Sequence, residues 1–534
     1  MKITEEVLAD TGLDEALLNL VIDEHRRGVI PGLELNWAYF RDEGGVSGGL
    51  AGPSGGCPGS GSGGLESGAM GRRRLAGQAV GLPARFRRSV AGVDEVSPEV
   101  VIENDIGWRV QTMVDFMFGK PVQILSTADD PELRRTIERV LDAVWEASGG
   151  IGLMQDMALL GHVHGYVDLL LRIDEAGLTT GGRLIDALES GSREELARLI
   201  RIEPVEPRRG IAVLDPDDYR RIDAFVVHVE RALNAVEGGG DVGSVRGPGW
   251  WKKGMKRTGG RHAVPERKKA GRGERVGRKV GTVTEVLGRG TRVVFEDGEV
   301  VARESSLLLP GVVPVVHIQN LSQPFRYAGL SEVEPLIGLQ DELNTRLSDR
   351  ASRVTMSSFK MYLAKRLEGF ERMPVGPGRV WSTDDPDASI EAFGGDSSSP
   401  SESEHIEQVR EAMDKVSGVP PLAGGVVRAR IGNLSSATAL RITLMSLLAK
   451  TARKRVTYGA GIERVSRMVL TALDAAGVLR TGPGDRSVRL VWPDPQPVDP
   501  GDAVETAQRK AELGVADERV LAELGYGPGD PGVT

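Results

Sequence analysis

The stretch "GNLSSATALRITLMSLLAKTARKRVTYGAGIERVSRMVLTALDAAG", residues 432–477, decides how this chain is read. Its apolar residues recur at helical spacing for about forty residues, far beyond the roughly three turns of an ordinary globular helix. A helix from Ser436 to Ala476 would span about 60 Å at ~1.5 Å per residue, with Gly459 and Gly461 marking an expected bend. The glycine-rich loop "LAGGVVRARIGN", ending at Asn433, leads into it. A loop of this length with Arg428 and Arg430 at its tip exceeds what a connector between helices needs, which points to function as much as to linkage.

Upstream of the loop the sequence predicts two more helices. "SEVE" at 331–334 gives Ser331 and Glu334 capping-box spacing, and Leu336, Leu339, Leu343, Leu347 and Val354 form the apolar stripe of a helix reaching about Met361. The other begins at Ser401, carries Ile406, Val409, Met413 and Val416, and stops at "GVPP". Between them, "GRVWS" and "SIEAF", joined through "TDDPDA", suggest a β-hairpin.

Working towards the N-terminus, residues 3–27 read as helical, with Val7, Leu8, Leu17, Leu18, Val21 and Ile22 on related faces. Residues 44–81 are too rich in Gly and Ser to bury a core. In "VVIENDIGWRVQTMVDFMFGKPV", Ile106, Val110, Met113, Val114 and Met117 have helical spacing, and Gly119 with Pro121 ends the helix; another is expected from Asp130 to Ala147. Strand character follows in "VHGYVDLLLRI" from Val163, "GIAVLD" from Gly210 and "RIDAFVVHVERA" from Arg221. Residues 280–309 read as an antiparallel meander turning at Asp297 and Gly298. Beyond Pro493, "DAVETAQRKAELG" is an amphipathic helix. The expected fold class is α+β, mainly α.

With 534 residues, 40% hydrophobic and 27% charged, the chain has apolar material for a real core and length for two to four domains. The best apolar run, "LLLPGVVPVVHI" from Leu307, is short and broken by prolines, well under the roughly 18 residues of a membrane span. The acidic, amphipathic start lacks a secretory pattern, so a soluble protein made and used in cytoplasm is expected. Cys57 is the only cysteine, which excludes intramolecular disulfides and thiolate metal clusters. The formal charge of −9 is uneven: Arg246 to Lys279 holds thirteen Lys/Arg and two Glu, leaving the remainder markedly acidic.

Catalytic and cofactor signatures are sparse. There is no Walker A pattern, G-x-S-x-G, H-E-x-x-H or Cys/His metal spacing, and no cofactor is expected. "GRGERVG" at 271 has glycines near a dinucleotide fingerprint but no preceding strand. His162 and His164 in "GHVHG" would share a face on a strand, without a third ligand in view. Asp384 and Asp385 beside Pro386 fit turn formers better than a catalytic pair. In the basic run, Trp250 and Trp251 with Lys252, Lys253, Lys256, Arg257, Lys268 and Lys269 offer nucleic-acid contact, although a solvated insert in an acidic protein accounts for the same composition.

The order of these pieces resembles the portal, or head-to-tail connector, proteins of tailed bacteriophages and gene-transfer particles. "ENDIGWRVQTMVDFMFGKPV", "VPVVHIQNLSQPFRYAGLSEVEPLIGLQDELNTRLSDRAS", "NLSSATALRITLMSLLAKTARKR" and "DAVETAQRKAELGVADERVLAELG" carry the resemblance, over most of residues 82–525. It implies a ring, typically of twelve subunits, at one capsid vertex of a virion assembled in the host cytoplasm, without catalysis or membrane contact of its own. Residues 82–325 would be the wing, 331–365 and 401–417 the stem helices, and 366–400 the clip. Residues 418–434 would be the tunnel loop, 435–476 the wing's spine, and the C-terminal helix part of the crown. Implied partners are double-stranded DNA, the terminase large subunit, major capsid and scaffolding proteins, and a head-completion or tail adaptor. The tunnel loop would place Gly424, Gly425, Arg428, Arg430 and Asn433 at the DNA channel. The clip would present Arg379, Trp381, Asp384, Asp385 and Asp387 to terminase or adaptor.

Ring symmetry would turn one Arg per subunit into a belt of positive charge. Duplex DNA carries a phosphate every ~1.7 Å, so a mainly acidic wall with a sparse cationic loop lets it slide where a densely basic one would grip. The segments 44–81 and 246–309 exceed what the wing usually needs. A rival class is a monomeric nucleic-acid-binding protein acting through 246–279.

Overall fold

A computed structural model of the chain describes residues 11, 13–41, 101–179, 183–233, 279–305, 308–358, 361–365, 386–387, 389–393, 400–425, 441–495, 500–515 and 517–524. In chain order the helices are α1 (Glu15–Glu24), α2 (Ile30–Arg41), α3 (Asp105–Phe118), α4 (Pro131–Ser148), α5 (Gly150–His164), α6 (Glu175–Thr179), α7 (Arg183–Glu189) and α8 (Arg193–Leu199). They continue with α9 (Ile337–Ser358), α10 (Pro400–Ser417), α11 (Met445–Ala475), α12 (Pro500–Glu512) and α13 (Asp517–Leu524). The strands are β1 (Gln123–Ser126), β2 (Tyr166–Ile173), β3 (Ile200–Val205), β4 (Gly210–Leu214), β5 (Ile222–Leu233) and β6 (Lys279–Leu287). After them come β7 (Thr291–Glu296), β8 (Glu299–Ser305), β9 (Val315–Gln319), β10 (Met361–Lys365), β11 (Ser389–Phe393) and β12 (Val488–Val491). The class is α+β, mainly α, as the periodicities predict.

Local chemistry sets the ends of these elements. The Asn104 side chain accepts from the Gly107 amide at 2.8 Å and starts α3. Asp130 caps α4 with Pro131 in its first turn, and Gly149, at φ 129°, turns the chain directly into α5. Asp297 (φ 51°) and Gly298 (φ 86°) form the tight turn from β7 to β8, where the sequence places it.

The main core lies where α3, α4, α5 and α11 cover the antiparallel sheet β3-β2-β9. Ile137, Leu141, Val167, Ile318, Ile462, Val469 and Leu473 are among its buried side chains, each contributing roughly 1.5–3 kcal/mol. A five-stranded sheet, β4-β5-β6-β7-β8, receives Leu18 of α1 on one face. Leu170 of β2 and Val315 of β9 pack with its Phe225 and Leu287 in a further cluster. The meander is therefore no appendage: β6 pairs along β5 from Phe225–Leu287 to Leu233–Lys279. β1 and β12, more than 350 residues apart in sequence, pair in register Gln123–Val491 to Ser126–Val488.

Several expectations change. α1 and α2, linked by a π-helical turn at His25–Val29, carry helix on to Arg41, past the expected end at residue 27. His162 and His164 lie on α5, and the strand begins only at Tyr166. Successive helical residues turn by about 100°, so side chains two apart face opposite ways. The helix α5 itself was not foreseen, nor were α6, α7 and α8. α11 starts later than expected and spans 31 residues, about 46 Å. It is continuous through Gly459 and Gly461, and the second of these marks a close approach to β9. A Cβ on Gly461 would stand 2.3 Å from Ile318 Cδ1. "SIEAF" pairs with Met361–Lys365, residues assigned above to the end of a helix. "GRVWS" lies outside the described residues. Among those described, no helix is long and apolar enough to cross a membrane.

Candidate functional site at the foot of the loop

Helices α9 and α10 form an antiparallel hairpin over a core of Leu336, Leu343, Leu347, Ile406, Val409 and Met413. Its second helix ends at Ser417, and the chain enters a short 3-10 turn at Pro421–Gly424. This is the foot of the loop.

Two consecutive residues of α3 hold it. Arg109, wholly buried, reaches Asp414 at 2.7 Å and Asp105 at 3.2 Å with Nη2. Its Nη1 donates to the Val419 carbonyl oxygen at 2.9 Å and to Ser417 Oγ at 3.2 Å. Guanidinium suits this place because its planar fork satisfies several acceptors at once. Beside it, the Trp108 indole packs against the turn. A Cβ on Gly424 would stand 2.3 Å from Trp108 Nε1, so only glycine fits. Gly425 follows at φ +78°, a conformation that also favours glycine. Ser446 Oγ on α11 donates to the Gly418 carbonyl at 3.0 Å. The chain thus leaves towards residue 426 and comes back to α11 beside the same turn.

A second set of buried charges lies one helical turn further along α11. Glu332, just before α9, sits between Lys450 and Lys454, with N–O distances of 2.5 and 2.7 Å. Lys450 also donates to the Ser417 carbonyl at 2.7 Å, joining the start and the end of the hairpin through one ammonium. Burial opposes the charge on Glu332, but the ammoniums of Lys454 and Lys450 prevail and hold its carboxyl down to about 2. Burial is also the largest influence on Lys454, outweighing Glu332 and lowering it to about 8. The backbone amide of Glu332 donates to the His162 carbonyl at 2.8 Å, which ties the cluster to α5.

Both histidines singled out in the sequence are interior. His162 Nδ1 lies 2.5 Å from the Ala158 carbonyl, and burial lowers its pKa to about 3. His164 stacks on Trp37 at 5.6 Å, and burial lowers it to about 4. No group of three or more potential metal ligands occurs among the described residues.

An Asp–His pair elsewhere has the outline of catalytic machinery. Asp168 Oδ1 accepts from His317 Nδ1 at 2.8 Å and from the Tyr327 hydroxyl at 2.6 Å. However, His317 Nε2 faces the Tyr327 carbonyl at 2.7 Å, so both ring nitrogens are engaged and neither is presented to a substrate.

Of the residues singled out for the loop, Gly424 and Gly425 lie at this foot, whereas Arg428, Arg430 and Asn433 lie outside the described residues. Of the clip residues, Asp387 is exposed in a turn with Pro386, while Arg379, Trp381, Asp384 and Asp385 lie outside. Trp250, Trp251, Lys252, Lys253, Lys256, Arg257, Lys268 and Lys269 are likewise outside. Sequence reasoning missed Trp108, Arg109, Glu332, Lys450 and Lys454. A signal existed: Arg109 lies three residues after Ile106 and four before Met113, and Lys454 falls in register with Leu447, Thr451 and Tyr458. Each is a charge set in a buried stripe.

A family comparison bears on one part of the chain. Residues 292–524 match the family model described as phage portal protein, SPP1 Gp6-like. The portal resemblance is borne out over that segment, which contains the hairpin, the loop foot and α11. No curated protein matches the chain. Among solved structures it is similar to a chain of "Virion of native gene transfer agent (GTA) particle", at 14% identity and a TM-score of 0.40, covering 79% of this chain and 90% of that one. Similar chains also occur in "Neck of native GTA particle computed with C12 symmetry" (TM-score 0.40) and "Neck of empty GTA particle computed with C6 symmetry" (TM-score 0.41), with the same identity and coverage.

Proposed function

We propose that the chain is the portal subunit of a virion or gene-transfer particle, forming a ring of twelve copies at one capsid vertex through which double-stranded DNA enters and leaves. The observation that carries this reading is the family match over residues 292–524, the part of the chain that contains the foot of the loop. In this reading residues 82–330 are the wing and 1–43 a helical arm. The α9–α10 hairpin is the stem, 366–400 the clip that docks terminase and later the tail adaptor, 418–434 the tunnel loop, 435–477 the spine and 478–534 the crown. The protein does no chemistry itself; the terminase motor supplies the work. Major capsid and scaffolding proteins contact the outer surface.

Negative-stain microscopy and mass photometry of the purified full-length chain test this. Rings with a central opening are expected; a monomer at every concentration overturns the reading. Replacing Arg428 and Arg430 with Ala should leave rings intact and impair packaging or retention of DNA. Loss of assembly instead would make the loop an interface element.

A further inference from the structure

One face of α11 is buried along most of its length, but the opposite face exposes large apolar side chains. Ile442, in the turn before the helix, is 65% exposed, Met445 64% and Val456 71%. With Ala449, Ala452 and Ala460, all exposed, they recur every three or four residues and form one continuous stripe. Isolated exposed apolar residues are ordinary; a contiguous row on one helix marks a contact surface. The small residues within the row let a second helix approach closely.

Charge identifies what covers it. Arg453, Arg464 and Arg467 lie along the same side of α11 and make no ion pair among the described residues. On α10, Glu404 and Glu411 sit two turns apart on the exposed face and likewise make none. One chain therefore carries an apolar row flanked by unpaired cations and, on another element, a row of unpaired carboxylates. Two different complementary faces on one subunit are what a head-to-tail contact requires, and such contacts form a ring where the rotation between successive copies closes.

We infer that the Ile442–Met445–Val456 stripe of α11 is a subunit interface, covered in the assembled particle by the Glu404–Glu411 face of α10 from a second copy of this chain. The inference rests on the ring reading above and adds the surface through which the ring closes.

The test uses the full-length chain, with mass photometry over a concentration series and thermal unfolding of the dispersed subunit. Val456→Asp and the Met445→Asp/Val456→Asp double variant should raise the concentration for half-assembly at least tenfold without changing subunit unfolding, since these side chains are already in water. Glu404→Lys/Glu411→Lys should produce a similar loss by setting like charges against Arg453 and Arg464. If wild type forms rings and the α11 variants assemble as well as it does, the inference fails while the ring reading stands. If the α11 variants instead lower subunit unfolding and leave assembly unchanged, the stripe is covered by its own chain. If only the α10 variant assembles normally, α10 is not the occupant. A wild type that never assembles overturns both readings.

Discussion

Arg109 of α3 donates to the carbonyl oxygen of Val419, 2.9 Å away and 310 residues later, while its other terminal nitrogen meets Asp414. One side chain thus fixes both the last turn of α10 and the first step of the loop. Arg109→Met should destabilise the fold by about 3–5 kcal/mol, because it leaves Asp105 and Asp414 without their buried counter-charge. Arg109→Lys should recover little of this, since an ammonium cannot span the same acceptors. Urea denaturation of the two variants checks both statements.

Gly424 and Trp108 should be coupled energetically. Gly424→Ala drives a methyl into the indole and should cost on the order of 1–3 kcal/mol. In a Trp108→Ala background the same substitution should cost much less, because the obstructing ring is gone. A double-mutant cycle by chemical denaturation reads the difference, and additive costs would show that the two do not touch.

Glu332→Gln should be among the most damaging single changes near α11. It keeps the shape of the side chain but strands Lys454, 1% exposed, beside Lys450 with no carboxylate between them. A loss of about 3–5 kcal/mol is expected. Replacing Lys454 with Met at the same time should restore part of it, as an apolar group of similar length needs no partner. Thermal or urea unfolding of the single and double variants decides.

Acid should weaken the fold through its interior histidines. An unfolded chain takes up a proton on His164 near pH 6.5, but the folded chain keeps it neutral down to about 4. The unfolded state then binds more protons in that window, so stability falls as pH drops from about 6.5 to about 4, by roughly 3 kcal/mol at most from this residue. His162, held neutral to about 3, acts in the same direction. His164→Phe, which preserves the ring stacked on Trp37, should flatten the profile between pH 7 and 5. An unchanged slope would rule His164 out as a contributor.

The elements legible from sequence are those whose apolar residues mark one side only. α3, α4, α9, α10 and α11 announce themselves through a stripe and a capping residue or terminal glycine, and β4 to β8 through short apolar runs and the Asp297–Gly298 turn. α5 escaped because it is apolar on nearly all sides, with Leu153, Met154, Met157, Ala158 and Val163 buried around its circumference. A helix without a polar face has no period to detect. The pairing of β1 with β12 was equally invisible, since nothing local to residues 123–126 specifies a partner near 490.

The candidate site was half legible. Gly424 and Gly425 stand out by composition, but what holds them does not. Arg109 and Lys454 look in one dimension like ordinary surface charges, and only their register within a buried stripe distinguishes them. Their acceptors, Val419, Asp414 and Glu332, come from distant segments and meet them only once the helices have packed.

The ammonium of Lys450 meets both ends of the α9–α10 hairpin, Glu332 on the way in and Ser417 on the way out. The 22 residues of α9 span about 33 Å, and the half nearest that ammonium is also held by Gln340, Asn344 and Ser348, which accept from the backbone amides of Ile106, Glu103 and Val101. A sideways load at the far end of the hairpin is therefore shared between α11, through Lys450, and the residues that lead into α3, and the turn carrying Gly424 lies beside the first of these anchors.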